Sequence, residues 1–240
     1  MIHLLNSRSK NGNFFISLKS ILGFAPKQMM FYRRAFTHPS FQKKDSFGQP
    51  LNYERLEFLG DAVLGSIVAA YLFEQLPEAD EGYLTKMRAK IVSRHTLNEV
   101  GKDFDLVRLM TADVHQSQFG ENIHGDLFEA LVGAIFRDRG YKYCKRFIYK
   151  KLITEYVDIE RLDGKILSYK SHLIEWCQKE KKNIRFEDEE DTGREEMTYF
   201  ATRLFIADKL VAKARSTSKK KAEEKAAQRA YYKLKNLINR

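Results

Sequence analysis

Cysteine is nearly absent from this chain, with two in 240 residues. Cys144 and Cys177 have neither CxxC spacing nor a clear set of metal-binding neighbours, which argues against a disulfide framework and a thiolate metal centre and leaves two reduced thiols without assigned chemistry. Proline is almost as scarce. Pro26, Pro39, Pro50 and Pro77 are the only four, each near an expected helix end, where a missing N–H does little harm. No run of about eighteen apolar residues occurs, and MIHLLNSRSKNGNFFISLKS lacks the apolar block and small-residue cleavage site of a secretory leader. The expectation is a cytoplasmic protein with no membrane partner. The single tryptophan, Trp176, reads as a helix core residue, and there is no internal repeat.

What is present is ample apolar content, 43% of residues, and an excess of 42 Lys and Arg over 32 Asp and Glu. A net charge of +10 favours a polyanionic partner without choosing between nucleic acid and an anionic surface. The excess is uneven: residues 1–163 hold 23 basic and 20 acidic residues, against 19 and 12 in residues 164–240. The smaller part carries most of it.

The helical period runs nearly unbroken over residues 27–157, with no convincing pair of alternating strands, so an all-α domain is expected there. Residues 1–26 form an N-terminal extension without a usable pattern, either partly disordered or packed on the domain. Periodicity lapses around IERLDGKILS, and Asp163-Gly164 is a turn signal, which suggests a linker over 158–166. Residues 167–240 then change character. The helix YKSHLIEWCQKEKK precedes three extended segments, NIRFEDEE, TYFATRLFIA and LVAKARS, the last two parted by a turn at Ala207-Asp208-Lys209. A final helix places Ala222, Ala226, Ala230 and Leu234 on one apolar stripe, widened by Ala227 and Tyr231. The second domain is a small α+β unit of order α-β-β-β-α.

In YERLEFLGDAVLGSIVAAYLF, Glu54, Glu57 and Asp61 stand at i, i+3 and i+7 and share one stripe of an otherwise apolar helix. In HGDLFEALVGAIF, Asp126 and Glu129 repeat the i, i+3 pairing. Two apolar helices packed with these edges facing would gather hard oxygen donors suited to Mg²⁺ or Mn²⁺ rather than zinc. Spacing alone leaves a second reading open: a solvated face, or one paired to Arg55, Arg88 or Arg94.

ERLEFLGDAVL resembles the signature of the ribonuclease III family of double-stranded-RNA endonucleases. AFTHPSF upstream, and EGYLTKMRAKIVSRHTL and GDLFEALVGAIFRDRGY downstream, match the same family in order. KSHLIEWCQ and SKKKAEEKAAQRAYYKL resemble the two ends of its double-stranded-RNA-binding domain. The resemblance implies a metal cluster of Glu57, Asp61, Asp126 and Glu129, with Asp61 and Glu129 catalytic and Glu54 and Glu81 as supporting acids. It implies hydrolysis by a water activated by Mg²⁺, with Mn²⁺ as a substitute, leaving 5′-phosphate and 3′-hydroxyl ends with short 3′ overhangs. A homodimer acting on ribosomal and other precursor RNAs is also implied. No histidine is then needed as base, and His38 reads as a packing or hydrogen-bonding residue. The chain departs from the family pattern at Tyr53, where asparagine is common, and at Ile174, Glu196, Ala214 and Ser216.

Lys219, Lys220 and Lys221 follow Ser218, an expected N-cap, and so lie in a helix first turn, where the dipole disfavours cations unless an anion joins them. RNA phosphate is the expected partner there. By resemblance, Ser171 and Glu175 would touch one minor groove of the duplex, and the loop at Gly193 and Arg194 the next. Two other readings compete. A non-catalytic RNA-binding protein would have no use for four mutually repelling acids, and a helical phosphohydrolase of small nucleotides would leave the basic domain idle.

Overall fold

The computed structural model describes residues 13–163, 166, 168–191 and 199–238. The chain divides into two compact units, Met1–Asp163 and Gly164–Arg240.

The described part of the first unit is helical: α1 (Asn13–Leu22), α2 (Met29–Ala35), α3 (Glu54–Gln75), α4 (Glu81–Ile91), α5 (Arg94–Asp103), α6 (Ile123–Arg139), α7 (Tyr141–Ile148), α8 (Thr154–Tyr156) and α9 (Ile159–Asp163). A π-helical segment, Tyr149–Ile153, joins α7 to α8. At the centre lies α6, whose Leu127, Phe128, Leu131, Val132 and Ile135 are all fully buried, as expected of a helix apolar on every side. Helix α3 buries Leu56, Val63, Leu64, Ile67, Val68 and Leu72 on one face and leaves Phe58 and Phe73 exposed on another. Although α3 is long and apolar enough to cross a membrane, that buried face is part of the core of the first unit.

The two helices touch backbone to backbone. A Cβ on Gly60 would run into the carbonyl of Glu129, and one on Gly133 into the carbonyl of Leu56. Only glycine permits an approach this close.

Asp138, near the end of α6, ties the core to the chain's beginning. Its carboxylate accepts from Lys27 N at 3.0 Å, Gln28 N at 2.7 Å and the Tyr32 hydroxyl at 2.8 Å. It thereby satisfies N–H groups at the start of α2, where Gln28 supplies no side-chain cap.

Two expected boundaries change. The supposed extension contributes α1, whose Leu18 and Leu22 are buried in the core and whose Phe14 meets Phe36 edge-on. The expected linker is partly taken up by α9. Lys90 of α4 donates at 2.8 Å to the carbonyls of both Leu162 and Asp163, a cation at a helix C-terminus.

The second unit is a three-stranded antiparallel sheet in the order β1 (Ile184–Asp191), β2 (Tyr199–Ile206) and β3 (Lys209–Ser216), with helices α10 (Tyr169–Lys179) and α11 (Lys219–Ile238). Ile184 pairs with Ile206, and Ile206 with Lys209. The two-residue turn between β2 and β3 holds Ala207 and Asp208 at φ 48° and 59°, the positive angles a tight hairpin demands. Along β2, Thr202, Leu204 and Ile206 are buried while their neighbours are not. The core also takes in Leu173, Ala214, Ala226, Ala227, Ala230 and Tyr231. The small side chains of Ala214 and Ser216 are both buried.

Glu224 fastens the helices together, accepting from Ser168 Oγ at 2.8 Å, Tyr169 N at 2.6 Å and Lys170 N at 3.4 Å. Glu223 pairs with Lys170 at 2.7 Å. These two acids serve the start of α10 rather than the lysine run beside them.

Candidate active site

The contact of α3 with α6 decides where the acids go. Gly60 lies against the carbonyl of Glu129, so Glu57 and Asp61, on either side of that glycine, meet the edge of α6 that carries Asp126 and Glu129. These four and Glu54 line one cleft of about 610 Å³, together with Phe58, Arg94, Asn98 and Asn122. Carboxylate oxygens of Glu57, Asp126 and Glu129 lie within 4.8 Å of one another. Asp61 lines the cleft but stands outside this tight group, on an exposed part of α3, whereas the other three are half-buried.

Asn98 fixes the α6 side of the cleft. Its Oδ1 accepts from Gly125 N at 2.8 Å, and its Nδ2 donates to Asn122 Oδ1 at 3.4 Å, which holds the first turn of α6 where Asp126 starts. On the α3 side, Asn52 donates to Glu54 Oε2 at 2.7 Å and accepts from Glu54 N at 3.3 Å. An asparagine thus reaches the first acid from one place upstream of Tyr53, which is itself buried at the helix start.

Gathering these acids has a clear electrostatic signature. Burial, followed by the charges of Asp126 and Glu54, pushes Glu57 up to about 6, and Arg94 works in the opposite direction. Burial, then the charges of Asp61, Glu57 and Asp126, pushes Glu129 up to about 8. Burial also raises Asp126, again against Arg94. A half-buried set of oxygen donors that resists ionising fits a hard divalent cation, whose charge would remove the penalty. Glu57, Asp126 and Glu129 would hold it, with Asp61 beside them.

Glu81 does not line the cleft. It lies in the first turn of α4 and accepts from the Thr85 hydroxyl at 2.9 Å. His38 bonds Ser40 through Nδ1 at 2.9 Å and packs its ring near Tyr53 and Phe119, in keeping with the packing role expected of it. Cys144 is fully buried, and burial pushes its thiol up to about 12.

In the second unit Ser218 accepts from Lys221 N at 3.3 Å, as expected of a cap. Lys220 and Lys221 are exposed. Lys219 differs from expectation in having an acidic partner: its ammonium lies 3.1 Å from Asp188 Oδ2, which belongs to a largely buried side chain. Ser171 is exposed on α10 and Glu175 half-buried. Gly193, Arg194 and Glu196 lie outside the described residues.

A helical unit that gathers carboxylates in a cleft, joined to a basic α-β-β-β-α unit, defines a nuclease carrying a module for double-stranded RNA. Residues 29–156 match the family model described as Ribonuclease-III-like, and residues 169–234 match the double-stranded RNA binding motif. Ribonuclease 3 of Zunongwangia profunda is 61% identical over 238 residues, 99% of this chain and 98% of that protein. Ribonuclease 3 of Flavobacterium psychrophilum is 57% identical over 231 residues, 96% and 94% of the two chains. Among solved structures, the nuclease domain of ribonuclease III from Campylobacter jejuni is similar with a TM-score of 0.51 at 29% identity, covering 58% of this chain and 96% of that one. The chain belongs to the ribonuclease III family.

Proposed function

We propose that this chain hydrolyses phosphodiester bonds of double-stranded RNA with the help of a divalent cation, Mg²⁺ or Mn²⁺, at the cleft between α3 and α6. It leaves 5′-phosphate and 3′-hydroxyl ends with short 3′ overhangs. The observation that carries the reading is the convergence of Glu57, Asp126 and Glu129 within 4.8 Å in a chain of this family. Asp61 and Glu129 are assigned the catalytic role, Glu57 and Asp126 complete the cation's ligands, and Glu54 and Glu81 support the site. Bound there, the cation supplies a water of lowered pKa and neutralises charge on the attacking and leaving oxygens.

The chain's own groups do the rest. Glu129, pushed up to about 8, would give up its proton when the site is loaded. Asn52 holds Glu54, and Asn98 holds the turn bearing Asp126. The nuclease domain is centred on residues 27–157, with α1 and α9 belonging to the same compact unit, and residues 167–240 form the RNA-binding domain, where Ser171, Glu175, Arg194, Ser218, Lys219, Lys220 and Lys221 meet the duplex. Two copies act together. Support comes from Phe58 and Phe73, 81% and 72% exposed on α3, and from the Campylobacter jejuni nuclease domain, described with a region involved in dimer formation. Precursor RNAs in the cytoplasm, ribosomal ones among them, are the substrates this reading favours.

The test incubates the protein with an end-labelled RNA duplex in Mg²⁺ or EDTA, beside the same RNA single-stranded and a DNA duplex. Discrete cuts in the RNA duplex alone, only with the cation, are expected. Tight, salt-sensitive binding without cleavage in any divalent metal would leave a binding protein in place of the enzyme.

A further inference from the structure

Five carboxylates line the cleft, those of Glu54, Glu57, Asp61, Asp126 and Glu129, and its lining residues include one cation, Arg94. An RNA strand brings negative charge into this acidic surrounding. Arg94 is the first residue of α5, set there by Ser93, whose side chain accepts from Thr96 N. A cation at this end of a helix opposes the dipole, and the first turn of α5 contains no acid to offset it.

The guanidinium is nevertheless not tied up. Arg94 is exposed, and among the described residues its side chain makes no hydrogen bond and no direct ion pair; it acts on Glu57, Asp126 and Glu129 through space. A residue serving only to neutralise the acids would be expected to lie in contact with them. Here the planar fork of N–H donors stays open beside the acids, and that fork matches two oxygens of one phosphate.

We infer that Arg94 is a substrate-contacting residue of the cleavage site, receiving the non-bridging oxygens of the RNA phosphate that enters the acid cleft. This rests on the nuclease reading above. Arg55 and Arg88, the other arginines near the acids in sequence, do not line the cleft, so the role falls to Arg94.

The experiment measures single-turnover cleavage of a duplex by wild type, Arg94→Met and Arg94→Lys across a Mg²⁺ titration, with circular dichroism to check folding. At saturating Mg²⁺, Arg94→Met is expected to cleave about 10- to 100-fold more slowly, the scale of a lost charge-assisted bidentate contact. Arg94→Lys should recover only part of the rate, because it restores the charge and not the fork. Wild-type rates for both variants at saturating Mg²⁺, with only the half-saturating concentration lowered, would make Arg94 a counter-ion of the acids and overturn the inference. Full recovery by Arg94→Lys would overturn the bidentate contact. Failure of the wild type itself to cut in Mg²⁺ or Mn²⁺ overturns the nuclease reading, and the inference with it.

Discussion

The two units of this chain handle charge in opposite ways. The first draws carboxylates together against their mutual repulsion, half-buried between two helices in backbone contact. The second spreads cations over the exposed start of α11. Groups that share one ligand act as a set, so removing any one of them should disable the whole. Groups that each meet a separate phosphate contribute in increments. Concentrated and distributed charge should therefore differ sharply in how they respond to mutation.

The largest expected effect is that of Glu129→Gln: cleavage abolished at low Mg²⁺ while duplex binding, followed by gel shift in EDTA, stays near wild type. Binding lost in proportion to cleavage would erase the division of labour. Next comes Gly60→Ala, which sets a methyl against the carbonyl of Glu129. It should destabilise the first unit by about 1–3 kcal/mol, as overpacking does, and lower cleavage with it. Unchanged melting and activity would mean that α3 and α6 part without cost.

A pH effect ranks third. Glu129 is raised from 4.5 to about 8, so between those values the folded chain holds a proton that the unfolded chain has lost. Stability should fall as pH rises through that window. Melting curves in EDTA should show the decline, and Glu129→Gln should flatten it. A melting temperature that rises from pH 5 to 8, equally in both proteins, would contradict the repulsion drawn above.

The smallest effects belong to the second unit. Lys220→Ala should weaken duplex binding and reduce the slope of log K against log salt by about 1, the share of a single phosphate contact. Asp188→Asn, which removes the charge opposite Lys219, should alter duplex affinity by less than about 1 kcal/mol, because the Lys219 end of the pair is exposed to solvent. A loss of binding as complete as that expected for cleavage in Glu129→Gln would show the cationic surface acting as a set too.

The α-β-β-β-α order was legible because strand and helix periods differ and the alanine stripe of α11 has a single plausible face. The carboxylate pairs were legible because acids at helical spacing on apolar helices have few uses. Helix α1 was overlooked. Phe14, Leu18, Ile21 and Leu22 do carry a helical period, but four apolar residues over about two and a half turns, set among Lys, Asn and Ser, give little contrast. The grip of Asp138 on α2 spans 110 residues, and no local pattern announces such a bond. Arg94 stood in the sequence beside Arg55 and Arg88 as one of three possible partners. Choosing it required the packing of α5 on α6, which spacing along the chain does not encode. Asp61 shows the reverse problem. Helical spacing gives it the same stripe as Glu57, yet one further turn along the axis takes it beyond the tight group.

The glycine contact between α3 and α6 has one more consequence. Gly60 and Gly133 let the two backbones meet, so the distance between the carboxylates of α3 and those of α6 is set by two residues that carry no carboxylate at all.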